Sequence, residues 1–367
     1  MAWYLSPDDV ERIAVGAAIL GAGGGGNPHR GKLRALLELE RGNKLVVLKL
    51  DELPDDALVV PLGGMGAPTV GLEKLGRGDE GKIAVEAVAQ RLGVQVAATV
   101  PIEVGGGNSF APLIAGAQLG LPTVDADGMG RAFPQWHQIS FYFDGDTPLP
   151  AVMVDSLHQK ITFDGIDETS ELKRIARAMC VHLGGSAMVA DRPIPVHRLR
   201  SVCIPDTLEL ACRIGDRVLR AHAEGTDPIA ATCAVTDGRI LFRGKVTDVD
   251  RRVERGYNFG SLTLVGLDEW QSSSARIELQ NEFLICRVDG ETVALVPDLI
   301  TLVDSDRGLP ITTEVVRYGL RVDVLGIPAP AQLKTPTALR FVGPQAFGYS
   351  EAFQPLERHR VVAVEAC

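Results

Sequence analysis

The segment EVGGGNSFAPLIAGAQLGLPTVDADGMGRAFP, residues 103–134, sets three carboxylates (Glu103, Asp125, Asp127), an amide (Asn108) and a guanidinium (Arg131) among clusters of glycine. Carboxylates whose surroundings separate their pKa values can serve as general base and general acid, while amide and arginine donors orient a polar ligand. Glu103, Asp125 and Asp127 are therefore the candidate catalytic groups, and Gly106, Asn108 and Arg131 candidate ligand-binding groups. Gly105, Gly106 and Gly107 leave backbone N–H groups uncovered, and a helix expected from near Ser109 would aim more of them at the same place. The i, i+2 spacing of Asp125 and Asp127 puts both side chains on one face of an extended segment. The plainer reading makes the glycines tight turns and the acids helix caps. Arg131 also has two readings, a ligand donor or the partner that keeps Asp125 or Asp127 ionised in a partly buried site.

A second glycine cluster, GAGGGGNPHRG at 21–31, contributes Gly24, Gly25 and Asn27 to the candidate ligand site, and a third, GGMGAPTV at 63–70, contributes Gly64. Gly21, Gly23 and Gly26 match the G-x-G-x-x-G dinucleotide pattern, but that fingerprint needs a preceding strand. Here SPDDVERIAVGAAIL precedes it and reads as a helix: Ser6 as N-cap, Pro7 in the first turn, Asp9 at N3, and Val10, Ile13, Ala14, Ala17 and Ala18 as an apolar stripe. A nicotinamide or flavin cofactor is accordingly not expected, whereas an anion or small-ligand nest of exposed amides is. His29 in this loop has a useful pKa, although a lone loop histidine is more often solvated.

The elements that would carry these groups alternate. Helices are expected at about 7–20, 31–41, 81–92 and 112–119, and strands at 44–50, 57–61, 94–100 and 122–125, an α/β pattern with a largely parallel sheet. Ligands bind beyond the carboxyl ends of such strands, where the loops at 63–66, 105–107 and 125–131 would converge. After the turn-rich DGDTPLP (144–150), an amphipathic helix is expected at 169–184, followed by short β-prone runs. The Asp-Gly pairs at 237–238 and 289–290 read as hairpin turns. The expected domains are 1–168, α/β with glycine-rich loops, and 169–367, mostly antiparallel β.

With 46% apolar and 23% charged residues in 367, the chain is a globular protein with room for a large core. Its net charge of −10 argues against nucleic acid or an anionic membrane as partner, leaving a small-molecule substrate and, by default for such an enzyme, a homo-oligomer. The start MAWYLSPDD lacks the regions of a signal peptide, and six cysteines are scattered without a C-x-x-C pair, so a cytoplasmic protein with reduced thiols is expected. No H-x-H, H-E-x-x-H or paired-cysteine spacing signals a metal. An all-oxygen Mg²⁺ or Ca²⁺ site built from the three acids stays open.

The blocks GAGGGGNPHRG, PLGGMGAPTV, EVGGGNSFAPL, DADGMGRAFP, GKVTDVDRR, LQNEF, VPDLITLVD and VGPQAFGY, in this order, resemble the family known as DUF917, the S-methyl thiohydantoin desulfurase family associated with hydantoin metabolism. The resemblance implies an N-terminal α/β domain, a β-rich C-terminal domain and hydrolysis of an S-methyl thiohydantoin to the hydantoin with release of methanethiol. The alternative is a non-catalytic ligand-binding or accessory subunit of a hydantoin-metabolising pathway. Desulfurisation needs water on the ring carbon, a base for its proton and an acid for the departing thiol. In the second half, Asp248, Asp250, Arg251 and Arg252 read as a solvated strand end. Asn281, Glu282 and Asp298 could face a cleft between domains, although caps and turns are the commoner use of such residues. Phe347, Gly348 and Tyr349 read as packing more readily than as a wall for a flat heterocycle.

Overall fold

The computed structural model describes residues 1–359 apart from 68, 69, 71, 72 and 255, so part of the 63–70 glycine segment lies outside the described residues. Its first helix forms as the residues dictate. In α1 (Pro7–Leu20), Ser6 and Asp9 close a reciprocal capping box, and Val10, Ile13, Ala17 and Ile19 are wholly buried. Burying each Val or Ile side chain stabilises by about 1.5–3 kcal/mol, which exceeds anything the cap contributes. α2 (Pro28–Glu40) begins at Asn27, whose side chain accepts the His29 N–H at 2.9 Å. α3 (Glu80–Leu92) and α4 (Phe110–Leu119) follow, each closed by a left-handed glycine, Gly93 and Gly120.

Beside a separate pair, β6 (Ala126–Asp127) and β11 (Ile204–Pro205), the strands of the first sheet are β1 (Trp3–Tyr4), β2 (Val46–Leu48), β3 (Leu58–Gly66), β4 (Ala98–Pro101), β5 (Thr123–Val124), β7 (Ala151–Val154), β8 (Lys160–Phe163), β9 (Ser186–Ala190) and β10 (Ile194–Pro195). Their order is β1-β2-β5-β4-β3-β9-β7-β8, with β10 on β3. β2, β5, β4 and β3 are mutually parallel, and the flanking pairs are antiparallel. The 63–66 glycines are not a loop: Gly63 to Gly66 belong to β3 and pair with Val189 to Ser186. The expected strand was too short because Gly63 and Gly64 read as a break, yet they sit where larger side chains would strike neighbours. A Cβ on Gly63 would meet Ile102 at 2.3 Å.

α5 (Thr169–His182) packs beside this sheet, and β9 returns from it into the centre. α7 (Thr207–Glu224), which follows the short helix α6 (Val196–Val202), was not expected from sequence. It crosses α1 at backbone distance: a Cβ on Gly16 would lie 1.8 Å from the Ala211 carbonyl oxygen, and one on Gly215 1.9 Å from that of Arg12. The Asp-Gly at 237–238 is not a hairpin. It ends helix α8 (Pro228–Thr236), with Asp237 at φ +52°, because the left-handed conformation that suits a tight turn equally stops a helix.

Among the described residues, the C-terminal region is an eight-stranded antiparallel sheet. Its first strands are β12 (Arg239–Glu254) and β13 (Tyr257–Gly266), and β14 (Ser274–Gln280) and β15 (Glu282–Val288) then meet in a tight turn at Asn281. The Asp289–Gly290 hairpin then leads to β16 (Glu291–Leu295), as its sequence predicts. One core cluster runs from α1 and α7 through the first sheet to Leu284, Val296, Leu299 and Ile327 of the second, so the two sheets share buried surface. Among the described residues no helix is long and apolar enough to cross a membrane.

Candidate functional site

A cavity of about 410 Å³ lies where the first glycine loop, the end of β3 and the loop after β4 meet, and residues 281 and 282 of the second sheet close it. Backbone hydrogen bonds weld these segments. Gly107 N–H donates to the Gly26 carbonyl at 3.0 Å, and Asn108 N–H to the Gly25 carbonyl at 3.2 Å. Gly25, at φ +76°, has no room for a side chain, since a Cβ would lie 2.2 Å from the Gly105 carbonyl oxygen. From the second sheet, Phe283 N–H donates to Ala22 O at 2.8 Å and Thr313 N–H to Gly23 O at 2.9 Å. The amides expected to form an open nest are thus partly spent on joining loops. Glycine serves here because two backbones touch. His29 is exposed at the start of α2.

Glu103 is buried, 4% exposed, and lines the cavity. Asn108 fixes it: the side-chain amide donates to Glu103 Oε1 and to the Gly64 carbonyl, and its oxygen accepts the Gly64 N–H at 2.7 Å. Phe133 N–H donates to the other oxygen, Oε2, at 3.1 Å. Burial pushes the Glu103 pKa up to about 8, against the lowering effect of those two donors. Gly25, Asn27, Gly64 and Asn108 line the same space, while Gly24 and Gly106 stand just behind it.

Asp125, Asp127 and Arg131 do not line this cavity, and the two aspartates face different neighbours. Asp125 Oδ1 accepts Leu208 N–H at 2.8 Å and so caps α7, while Oδ2 meets Lys49 Nζ at 2.8 Å. Asp127, on a short strand paired with Ile204, accepts the N–H groups of Val104, Met129 and Gly130 through Oδ2 at 2.8–3.1 Å. Burial lifts its pKa to about 7. It braces the loop that carries Glu103. Arg131 is wholly buried and gives its N–H groups to the carbonyls of Ala132, Phe283, Pro297 and Asp298. Its guanidinium lies 5.0 Å from the Phe133 ring. The i, i+2 argument placed the aspartates on one face; a break between two short strands at Asp125 undoes it.

Three acids that sequence reasoning did not place among the catalytic candidates line the cavity: Glu282, Asp191 and Glu80, the last of which accepts the N–H groups of Arg77 and Gly78. Glu282, 2% exposed, follows Asn281, whose φ of +60° makes the turn that aims it inward. Its carboxylate occupies the space left by Gly24, where a Cβ would fall 2.1 Å from Oε1. Burial raises its pKa well above the carboxylate range, and the charge of Glu103 adds to this. The signal was an Asn-Glu pair inside a β pattern. Asp191, just after β9, accepts Trp136 Nε1 at 2.9 Å and the Tyr142 hydroxyl at 2.7 Å, with burial raising its pKa to about 7. Arg177 also lines the cavity, its guanidinium 4.1 Å from the Tyr257 ring.

Asp125, Asp206 and Glu209 are, among the described residues, a carboxylate group close enough to hold a cation. The Lys49 ammonium already sits among them, at 2.8, 2.5 and 2.5 Å. Elsewhere, Asp298 accepts Ala329 and Leu356 N–H and is structural, Asp248, Asp250, Arg251 and Arg252 are exposed, and Phe347 stacks behind Phe133 at 6.4 Å.

Comparison with known proteins matches residues 8–165 to the model of the S-Me-THD-like N-terminal domain and residues 167–356 to that of the S-Me-THD-like C-terminal domain. No curated protein matches the chain. The crystal structure of a protein from Chromobacterium violaceum superimposes with a TM-score of 0.79 at 21% identity, covering 96% of this chain and 100% of that one. At that identity the likeness speaks for the fold alone.

Proposed function

The chain belongs to the S-Me-THD-like family, and on that premise we propose that it is a small-molecule hydrolase that converts an S-methyl thiohydantoin to the hydantoin with release of methanethiol. The observation that carries the reading is a buried carboxylate, Glu103, held by two donors at the wall of a 410 Å³ cavity. That volume suits a five-membered heterocycle with a substituent. A pKa of about 8 makes Glu103 a far stronger base than a carboxylate in water.

In this reaction water bonds to the ring carbon that bears sulfur and gives one proton to Glu103. The carbon–nitrogen double bond becomes single, so the ring nitrogen takes up a proton from an acid. When the tetrahedral species collapses, the carbon–sulfur bond breaks, Glu103 returns its proton to sulfur as methanethiol leaves, and the hydroxyl proton goes back to that acid. Water's two hydrogens end on nitrogen and sulfur. Asn108 and Phe133 N–H keep the Glu103 carboxylate oriented throughout.

Incubation with S-methyl thiohydantoins, thiohydantoins and hydantoins, followed by mass spectrometry, tests the reading. Hydantoin and methanethiol from the first class, lost in Glu103→Gln, are expected. A thermal shift with these ligands but no product would make the chain a binding subunit instead.

A further inference from the structure

We infer that Glu282 is the second catalytic carboxyl of this site: it stands in the cavity with Glu103, against Gly24, and is the acid that protonates the ring nitrogen. This rests on the reaction proposed above. The two glutamates differ in what surrounds their oxygens. Glu103 accepts from Asn108 on one oxygen and from Phe133 N–H on the other. Glu282 Oε2 is buried with no hydrogen-bond partner. Its own backbone N–H is the one donor to this carboxylate among the described residues, against two for Glu103, so the single negative charge of the pair settles on Glu103 and the proton on Glu282. The charge that balances it lies behind both. Arg131 is fully buried, gives its hydrogen bonds to carbonyls alone, and feels the fields of Glu103, Glu282 and Asp298. Arg177, on the cavity wall, also acts on Glu282.

With Arg131 and Arg177 nearby and one anion shared between the glutamates, the pair above about pH 8 holds the state that the chemistry needs, an ionised base beside a protonated acid. Glu282 protonates nitrogen as Glu103 takes water's proton. On collapse Glu282 takes the hydroxyl proton while Glu103 protonates sulfur, and both are restored. Burial sets the order: it pushes Glu103 up to about 8, and Glu282 is raised well above the carboxylate range by burial and then by the charge of Glu103.

Glu282→Gln keeps the shape and removes the acid. Where wild type yields hydantoin, we expect the variant to lose ~10²–10⁴-fold in kcat with little change in KM, and to lose the high-pH fall of the rate profile. Turnover within about threefold of wild type would overturn the pair while leaving the reaction intact. A second measurement needs no substrate: ¹³C NMR titration of the glutamate carboxyls in wild type and Glu103→Gln. The Glu282 step is expected above the ordinary range and moves down when Glu103 is neutralised. A Glu282 that titrates as an ordinary carboxylate, or whose step ignores Glu103→Gln, overturns the inference even if no substrate is turned over.

Discussion

Asn108 joins Glu103 to Gly64: one side-chain amide group holds the carboxylate of the loop after β4 and clasps both backbone groups of a glycine in β3. The orientation of the Glu103 carboxylate is therefore tied to the sheet through Asn108.

Asn108→Ala removes a donor from the Glu103 carboxylate. A hydrogen bond to a charged group contributes about 1.5–3 kcal/mol, so the Glu103 pKa should rise and the low-pH limb of the rate profile should move to higher pH. The check is kcat/KM against pH. An unmoved limb would mean that Asn108 only supports the fold.

Gly24→Ala places a methyl 2.1 Å from Glu282 Oε1 and 2.6 Å from its Cδ. The carboxylate must leave its position, so turnover should fall by more than tenfold, and circular dichroism should remain that of the native fold. Gly25→Ala is different. Its methyl strikes the Gly105 backbone at positive φ and should cost about 1–3 kcal/mol in denaturant unfolding.

Lys49→Met strips the cation from Asp125, Asp206 and Glu209. Lys49 is 41% exposed, so solvent screens part of the effect, and a loss of about 1–3 kcal/mol is expected, with turnover per folded molecule unchanged. Asp125→Asn should behave in the same way. Lost turnover at full stability would return Asp125 to the chemistry.

The buried acids also set a pH dependence. Asp191 has a folded pKa of about 7 against 3.8 when free, so the folded state holds its proton more tightly. Its contribution to stability is complete below about pH 3.8 and is lost as pH rises through about 7. Asp127 and Glu103 act with the same sign. Melting temperature should fall between pH 4 and pH 8, and fall less in Asp191→Asn, which stays neutral. Equal slopes for the two proteins would sink this assignment.

Much of the frame was legible in local chemistry. Ser6, Pro7 and Asp9 announce α1, and Asp289–Gly290 announces its hairpin, because caps and turns depend on a few adjacent residues. Glu103, Asn108 and the meeting of the glycine loops also followed from residue type. What was not legible depends on partners far along the chain. Spacing alone makes Asp125 a catalytic candidate, and its capping of α7 depends on amides more than eighty positions away. Asp237–Gly238 can stop a helix or turn a hairpin, and only tertiary context decides. Glu282 gave a weak signal because its inward aim depends on a single left-handed asparagine and its space on a glycine 258 positions earlier, 282 minus 24.

Ala22 and Gly23 give their carbonyls to Phe283 and Thr313, the latter bond spanning 290 positions. A ribosome must therefore deliver most of the polypeptide before the first glycine turn can find its final partners. Until then those carbonyls are bonded to water, and a nascent chain halted before Thr313 has no finished pocket. Splitting the gene between its halves should yield fragments that recover a working pocket only when brought together.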